Sequence, residues 1–123
     1  MPPYERFDAW KKSHQLALAI HRQTASWPKD ERFGLTAQIR RSAFSVPANL
    51  VEGQARRGRR EFRRFLDIAW GSLAEVGYTL RYARDLGYLT EEAYSQLQAL
   101  RDEAGPPLFG LLRSMGGSND ESK

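Results

Sequence analysis

A chain of 123 residues with a net charge of +4 has room for one domain and one core, not for a separate regulatory module. Its 41% hydrophobic and 28% charged residues argue against disorder, and the absence of Cys excludes disulfides, thiolate catalysis and Cys-ligated metal. No apolar run approaches the roughly 20 residues that span a bilayer. The start, MPPYERFDAWKK, lacks a hydrophobic signal core, so a cytoplasmic protein with no membrane partner is expected.

The first predicted helix runs from about Asp8 to Ser26, with Asp8 as N-cap and Phe7 as a hydrophobic staple before it. Trp10, Ala17, Ile20 and Thr24 recur at a three/four spacing, with Leu16 beside them. Pro28 and Gly34 end the segment. The second helix, about Leu35 to Gly53, carries Leu35, Ile39, Ala43, Val46 and Leu50 on one face. Pro47 inside it removes the amide bond back to Ala43 and predicts a kink.

The third helix, about Arg59 to Leu86, has the clearest pattern. Phe62, Leu66, Ala69, Leu73, Val76, Leu80 and Ala83 step 4-3-4-3-4-3, a heptad seam. Gly87 is its C-cap, and Thr90 caps the next helix, whose first turn holds Glu91 and Glu92. That fourth helix carries Ala93, Leu97, Leu100, Ala104, Leu108, Leu111 and Leu112. Gly105-Pro106-Pro107 is expected to bend or split it. The fold expected is all-α, an up-down-up-down four-helix bundle over residues 1–115 with a disordered tail at 116–123.

Fifteen of the 19 basic residues are Arg, and six of them fall in the nine positions from Arg56 to Arg64. At about 100° per residue, Arg59, Arg60, Arg63 and Arg64 lie nearly opposite the apolar seam and so face away from the core. Glu52 with Arg56, Arg57 with Glu61 and Arg63 with Asp67 are spaced for i,i+4 pairing, each worth a few tenths of a kcal/mol. Arg59, Arg60 and Arg64 have no such neighbour. Cations at a helix N-terminus oppose its dipole, so an external anion gives this placement a reason. Arg40, Arg41, Arg56, Arg57, Arg59, Arg60, Arg63 and Arg64 are the candidate nucleic-acid-binding residues. Four of them on phosphates predict a log K against log salt slope of roughly −3 to −4. The competing reading is a solvated basic face.

No catalytic set is visible. His14 and His21 share a face of the first helix without a carboxylate at ligand spacing, too little for a metal site. No Gly-rich phosphate loop, nucleophile elbow or Ser/His/Asp arrangement is present, so neither an enzyme nor a cofactor is expected.

FGLTAQIRRSAFSVPANLVEG followed by EFRRFLDIAWGSLAE resembles the bacterial four-helix-bundle family found as the reading frame in 23S rRNA intervening sequences. It is also similar to the accessory variability protein of diversity-generating retroelements. The likeness spans about Phe7 to Leu112 and rests on Gly34, Gln38, Arg41, Ser45, Pro47, Asn49, Glu52, Gly53, Ala69, Gly71, Ser72 and Glu75, with Phe33 and Leu35. It implies a ring-like homopentamer with a basic surface and, from the retroelement branch, nucleic-acid binding beside a reverse transcriptase. Gly105-Pro106-Pro107 and Gln54 depart from the family pattern.

These motif residues also have structural readings. Gly71 inside a helix costs about 1 kcal/mol against Ala, which predicts a close backbone approach there. Arg41 and Glu75 are spaced to bridge the second and third helices, and Asn49 and Glu52 to serve the backbone freed by Pro47. Two functions compete: an oligomeric protein binding nucleic acid by phosphate and shape, and an assembly module whose arginines meet a subunit or an acidic partner. Trp10, Trp27, Trp70 and Tyr78 are the apolar anchors available to the second. A third, a small ribonuclease, has no residue behind it.

Overall fold

The computed structural model describes the backbone of residues 2–121 and the side chains of residues 2–116. After a 3-10 turn at Pro3–Arg6, the chain forms α1 (Asp8–Gln23), α2 (Leu35–Ala55), α3 (Arg59–Asp85) and α4 (Glu91–Glu121), with 3-10 turns at Thr24–Ser26 and Lys29–Glu31 between the first two. Each helix packs on the next and α4 closes back on α1. That is the closed neighbour order of a four-helix bundle.

The seam of α3 behaves as its period requires. Leu66, Ala69, Leu73, Val76, Leu80 and Ala83 are buried, and Phe62 packs half-buried at their edge. Ile39, Ala43, Val46 and Leu50 of α2 meet them, with Leu97, Ala104, Leu108 and Leu112 of α4. In α1 the inward stripe is Ala9, Ser13, Leu16 and Ile20; Trp10 and Ala17 lie half-buried beside it. Ser13 is accommodated because its hydroxyl donates to the Trp10 carbonyl at 3.2 Å, leaving no unpaired buried polar atom there.

The helix ends follow local chemistry. The backbone N-cap of α1 is Phe7 rather than Asp8, and the Phe7 ring packs on Phe62 with centroids 6.0 Å apart. Gly87 takes φ 85° after α3, with bonds from Gly87 N–H to Arg84 O and Tyr88 N–H to Ala83 O, both 2.9 Å. This is a Schellman ending, which needs a left-handed residue. Thr90 Oγ1 accepts the Ala93 N–H at 3.0 Å and caps α4.

Gly105-Pro106-Pro107 does not split the last helix: α4 continues through Pro106 and Pro107. The carbonyls that lose their amide partners belong to Asp102 and Glu103, both exposed, so water can serve them. Ala104 and Leu108, buried on either side, hold the two halves against one core. The helix runs on to Glu121, into the segment assigned to a tail at 116–123; residues 122–123 and the side chains from 117 onward lie outside the described residues.

Glu31 fixes the start of α2. Its Oε1 accepts the Leu35 N–H at 3.0 Å and its Oε2 accepts the Tyr88 hydroxyl at 2.8 Å. The backbone bond, then the tyrosine bond, hold the Glu31 carboxyl below its ordinary 4.5, and the same carboxylate holds the Tyr88 phenol above its ordinary 10.0. The depressed carboxyl contributes stability that is present above pH 4.5 and lost as pH falls through its folded value. The raised phenol contributes stability present below pH 10.0 and lost as pH rises through its own. Tyr88→Phe is therefore expected to weaken the acid limb of a stability–pH profile and remove Tyr88's alkaline part. Urea melts from about pH 3 to pH 11 check it; profiles that superimpose would refute the pairing.

Candidate nucleic-acid interface

α2 and α3 are joined by Arg56, Arg57 and Gly58. Arg56 leaves the helix extended (φ −80°, ψ 160°), and Gly58 adopts φ 89°, which a side chain would resist. The turn places six arginines at one end of the α2–α3 pair. They are not equivalent.

Arg56 Nη2 donates to Glu52 Oε2 at 2.7 Å, the i,i+4 pair expected from spacing. Its guanidinium also lies 5.1 Å from the Phe65 ring centroid, and that of Arg64 lies 4.5 Å from the same ring. Phe65 is only 6% exposed. Two cations thus clasp one aromatic ring, whose electron-rich faces attract them. Arg64 also pairs with Glu61 at 3.3 Å across i,i+3, a neighbour that i,i+4 spacing missed. Glu61 is therefore engaged by Arg64, and the expected Arg57–Glu61 pair is not formed.

Arg59 Nη2 donates to the Ser114 carbonyl of α4, and the Arg63 guanidinium lies against Gly116 of the same helix. Arg57 and Arg60 are exposed and make no hydrogen bond or ion pair among the described residues. The turn thus presents two unpaired guanidiniums on a scaffold of four that are tied down.

Arg40 and Arg41 do not join this cluster. They sit about 22–24 Å back along α2 by helical rise. Arg40 turns inward, with Nε donating to Thr24 Oγ1 at 2.8 Å and Nη2 to the His21 carbonyl at 2.9 Å. A cation there satisfies a carbonyl at the C-terminus of α1 and suits its dipole. Arg41 is exposed. It does not bridge α2 to α3; Gln38 Nε2 does so, reaching Glu75 Oε2 at 3.3 Å.

Two further motif contacts join these two helices, through Ser45 with Ser72 and through Gly53 with Phe65. The Ser45 and Ser72 hydroxyls meet at 2.9 Å, and Asn49 Nδ2 donates to the Ser45 carbonyl at 2.7 Å and its hydroxyl at 2.9 Å. Asn49 therefore serves the Ser45 carbonyl, while Glu52 is taken by Arg56. A Cβ on Gly53 would stand 2.8 Å from Phe65 Cβ, so its absence lets Phe65 seat. Gly34 sits over Glu31, 2.9 Å from its Oε1 by the same measure. Gly71 faces open space and has no close backbone neighbour. The close approach falls at Gly77, where a Cβ would stand 2.5 Å from Arg101 Nε. That arginine donates to the Leu73 carbonyl at 3.1 Å, and Gln98 to the Gly77 carbonyl at 3.1 Å. Only the glycine itself marks this contact in the sequence.

The family model of the 23S rRNA-intervening sequence protein matches residues 5–110. The chain belongs to that family. A crystal structure of a protein of unknown function from the S23 ribosomal protein family of Bacteroides thetaiotaomicron superposes on this family member with a TM-score of 0.76. The two are 25% identical, and the match covers 85% of this chain and 98% of that one. None of the curated proteins matches it. Among the described residues, no helix is long and apolar enough to cross a membrane.

Proposed function

We propose that this protein is a non-catalytic nucleic-acid-binding accessory protein that grips phosphates, independently of sequence, through the α2–α3 turn. The observation that carries the reading is the pair of exposed guanidiniums of Arg57 and Arg60, unpaired among the described residues, beside four arginines already anchored. The first-turn amides of α3 open onto the same turn, and a helix N-terminus favours anions. A bound phosphate therefore relieves both the cation repulsion and the unfavourable dipole. No base-reading module accompanies them, so recognition rests on backbone charge and shape. A reverse transcriptase as protein partner belongs to this proposal through the resemblance to the retroelement accessory protein, and a cytoplasmic setting is proposed with it.

Arg57→Gln with Arg60→Gln is expected to lower affinity for single-stranded RNA and duplexes alike and to flatten the salt slope by roughly 1.5 to 2 units. Arg40→Gln, which unties α1 from α2, is expected to leave the slope in place. Equal slopes for wild type and the double variant would sink the reading.

Assembly into a homo-oligomer, a pentamer by resemblance, is a second reading supported by exposed apolar side chains. Phe44 and Leu18 line a groove of about 430 Å³ between α1 and α2, while Trp70 and Phe109 pack 5.6 Å apart at the α3–α4 face. Two unlike apolar faces suit head-to-tail contacts, which close into rings where the rotation between neighbours closes. Sedimentation as a monomer at micromolar concentration would refute it.

A further inference from the structure

The α2–α3 pair carries a second charged surface, roughly 24 to 35 Å from the arginine turn by helical rise. A groove of about 580 Å³ opens there between the start of α2, the end of α3 and the loops beside them. Glu31, Gln38, Glu75, Tyr78, Tyr82 and Tyr88 line it, with no Arg, Lys or His among the lining residues. In a chain of net charge +4, this is a concavity of the opposite sign.

Its aromatic wall is open. Tyr78 and Tyr82 are 68% and 47% exposed, with ring centroids 6.1 Å apart and planes at 69°. The edge of one ring therefore meets the other and ring faces remain available. The two carboxylates differ. Glu31 is fixed by Leu35 and Tyr88, whose bonds hold its carboxyl below its ordinary value. Glu75 is exposed and uses only Oε2, on Gln38, among the bonds of the described residues.

We propose that this groove docks an arginine side chain from a basic segment of a protein partner. A guanidinium is planar and weakly hydrated; it stacks on a tyrosine face while its fork donates to a carboxylate. Tyr78 and Tyr82 supply the faces, Glu75 the acceptor and Glu31 a second negative charge. Phosphate is disfavoured, because two carboxylates stand there with no cation among the lining residues. The Debye length at physiological salt is about 8 Å, so the acidic groove and the arginine turn act independently across their separation. The chain then joins a nucleic acid at one end of the α2–α3 pair to a basic protein at the other.

The test is fluorescence anisotropy of a labelled peptide alternating arginine and glycine, titrated with the full chain at physiological salt. Tyr78→Ala and Glu75→Gln are each expected to weaken binding by roughly threefold to thirtyfold. Tyr78→Phe should retain it, and Arg57→Gln with Arg60→Gln should leave it unchanged. Both positions are exposed, and circular dichroism confirms that each variant is folded. Absence of peptide binding, or binding indifferent to both Tyr78→Ala and Glu75→Gln, overturns the proposal. A loss of RNA affinity on Tyr78→Ala also overturns it, because the rings would then be stacking bases.

Discussion

Phe65→Ala is expected to cost about 3–5 kcal/mol of folding stability and to scatter the arginine surface. Phe65 is nearly fully buried without belonging to the central apolar cluster. It fills the space between the Gly53 backbone of α2 and the guanidiniums of Arg56 and Arg64. Truncation leaves a cavity and removes the shared ring on which two cations rest. Since small domains hold only about 5–15 kcal/mol in total, the loss is a large fraction. Phe65→Leu keeps much of the volume but not the ring, so it separates packing from cation–π attraction, worth about 0.5–2 kcal/mol here. Urea denaturation of the three proteins measures both. A Phe65→Ala variant as stable as wild type would show that the clasp holds nothing together.

Gly53→Ala should destabilise although it improves helix propensity. The added methyl would stand 2.8 Å from Phe65 Cβ and 3.0 Å from Phe62 Cδ1. Phe65 Cβ is bound directly to the α3 backbone, so the helices themselves must part. Overpacking costs about 1–3 kcal/mol, against a propensity gain of up to about 1 kcal/mol. Gly71→Ala makes the contrast: open space surrounds Gly71, so the propensity gain stands alone and the protein should become more stable. Urea midpoints that shift the same way for both variants would contradict this assignment of the two glycines.

The sequence carried much of the fold in its period and punctuation. The α3 seam was legible because large aliphatic residues repeat strictly over several turns, and Gly87 and Thr90 marked the next boundary by their own chemistry. The α1 stripe was less so. Ala9 and Ser13 turn inward with little apolar signal, while Trp10, the stronger signal, lies at the groove edge. Pro106 and Pro107 signalled a break, yet the residues whose carbonyls they free, Asp102 and Glu103, are exposed and the core on both sides holds the helix in one piece.

The candidate site was legible in direction but not in partnership. Helical spacing turned Arg59, Arg60, Arg63 and Arg64 outward. No spacing rule could show that Arg59 crosses to Ser114, that Arg40 folds back on Thr24, or that Arg56 and Arg64 share Phe65. Such contacts join residues on different helices, or across a turn whose path depends on Gly58. They exist only once the bundle is assembled, and among the six arginines at the turn they leave Arg57 and Arg60 without a hydrogen bond or ion pair among the described residues.

The most direct measurement is the affinity of the wild-type chain for labelled single-stranded RNA and duplex DNA across a salt series. Two to four phosphate contacts predict log K falling against log salt with a slope between roughly −1.5 and −3.5, the same surface serving both polymers. No binding at low salt, or a slope near zero, would contradict nucleic-acid recognition by the α2–α3 turn.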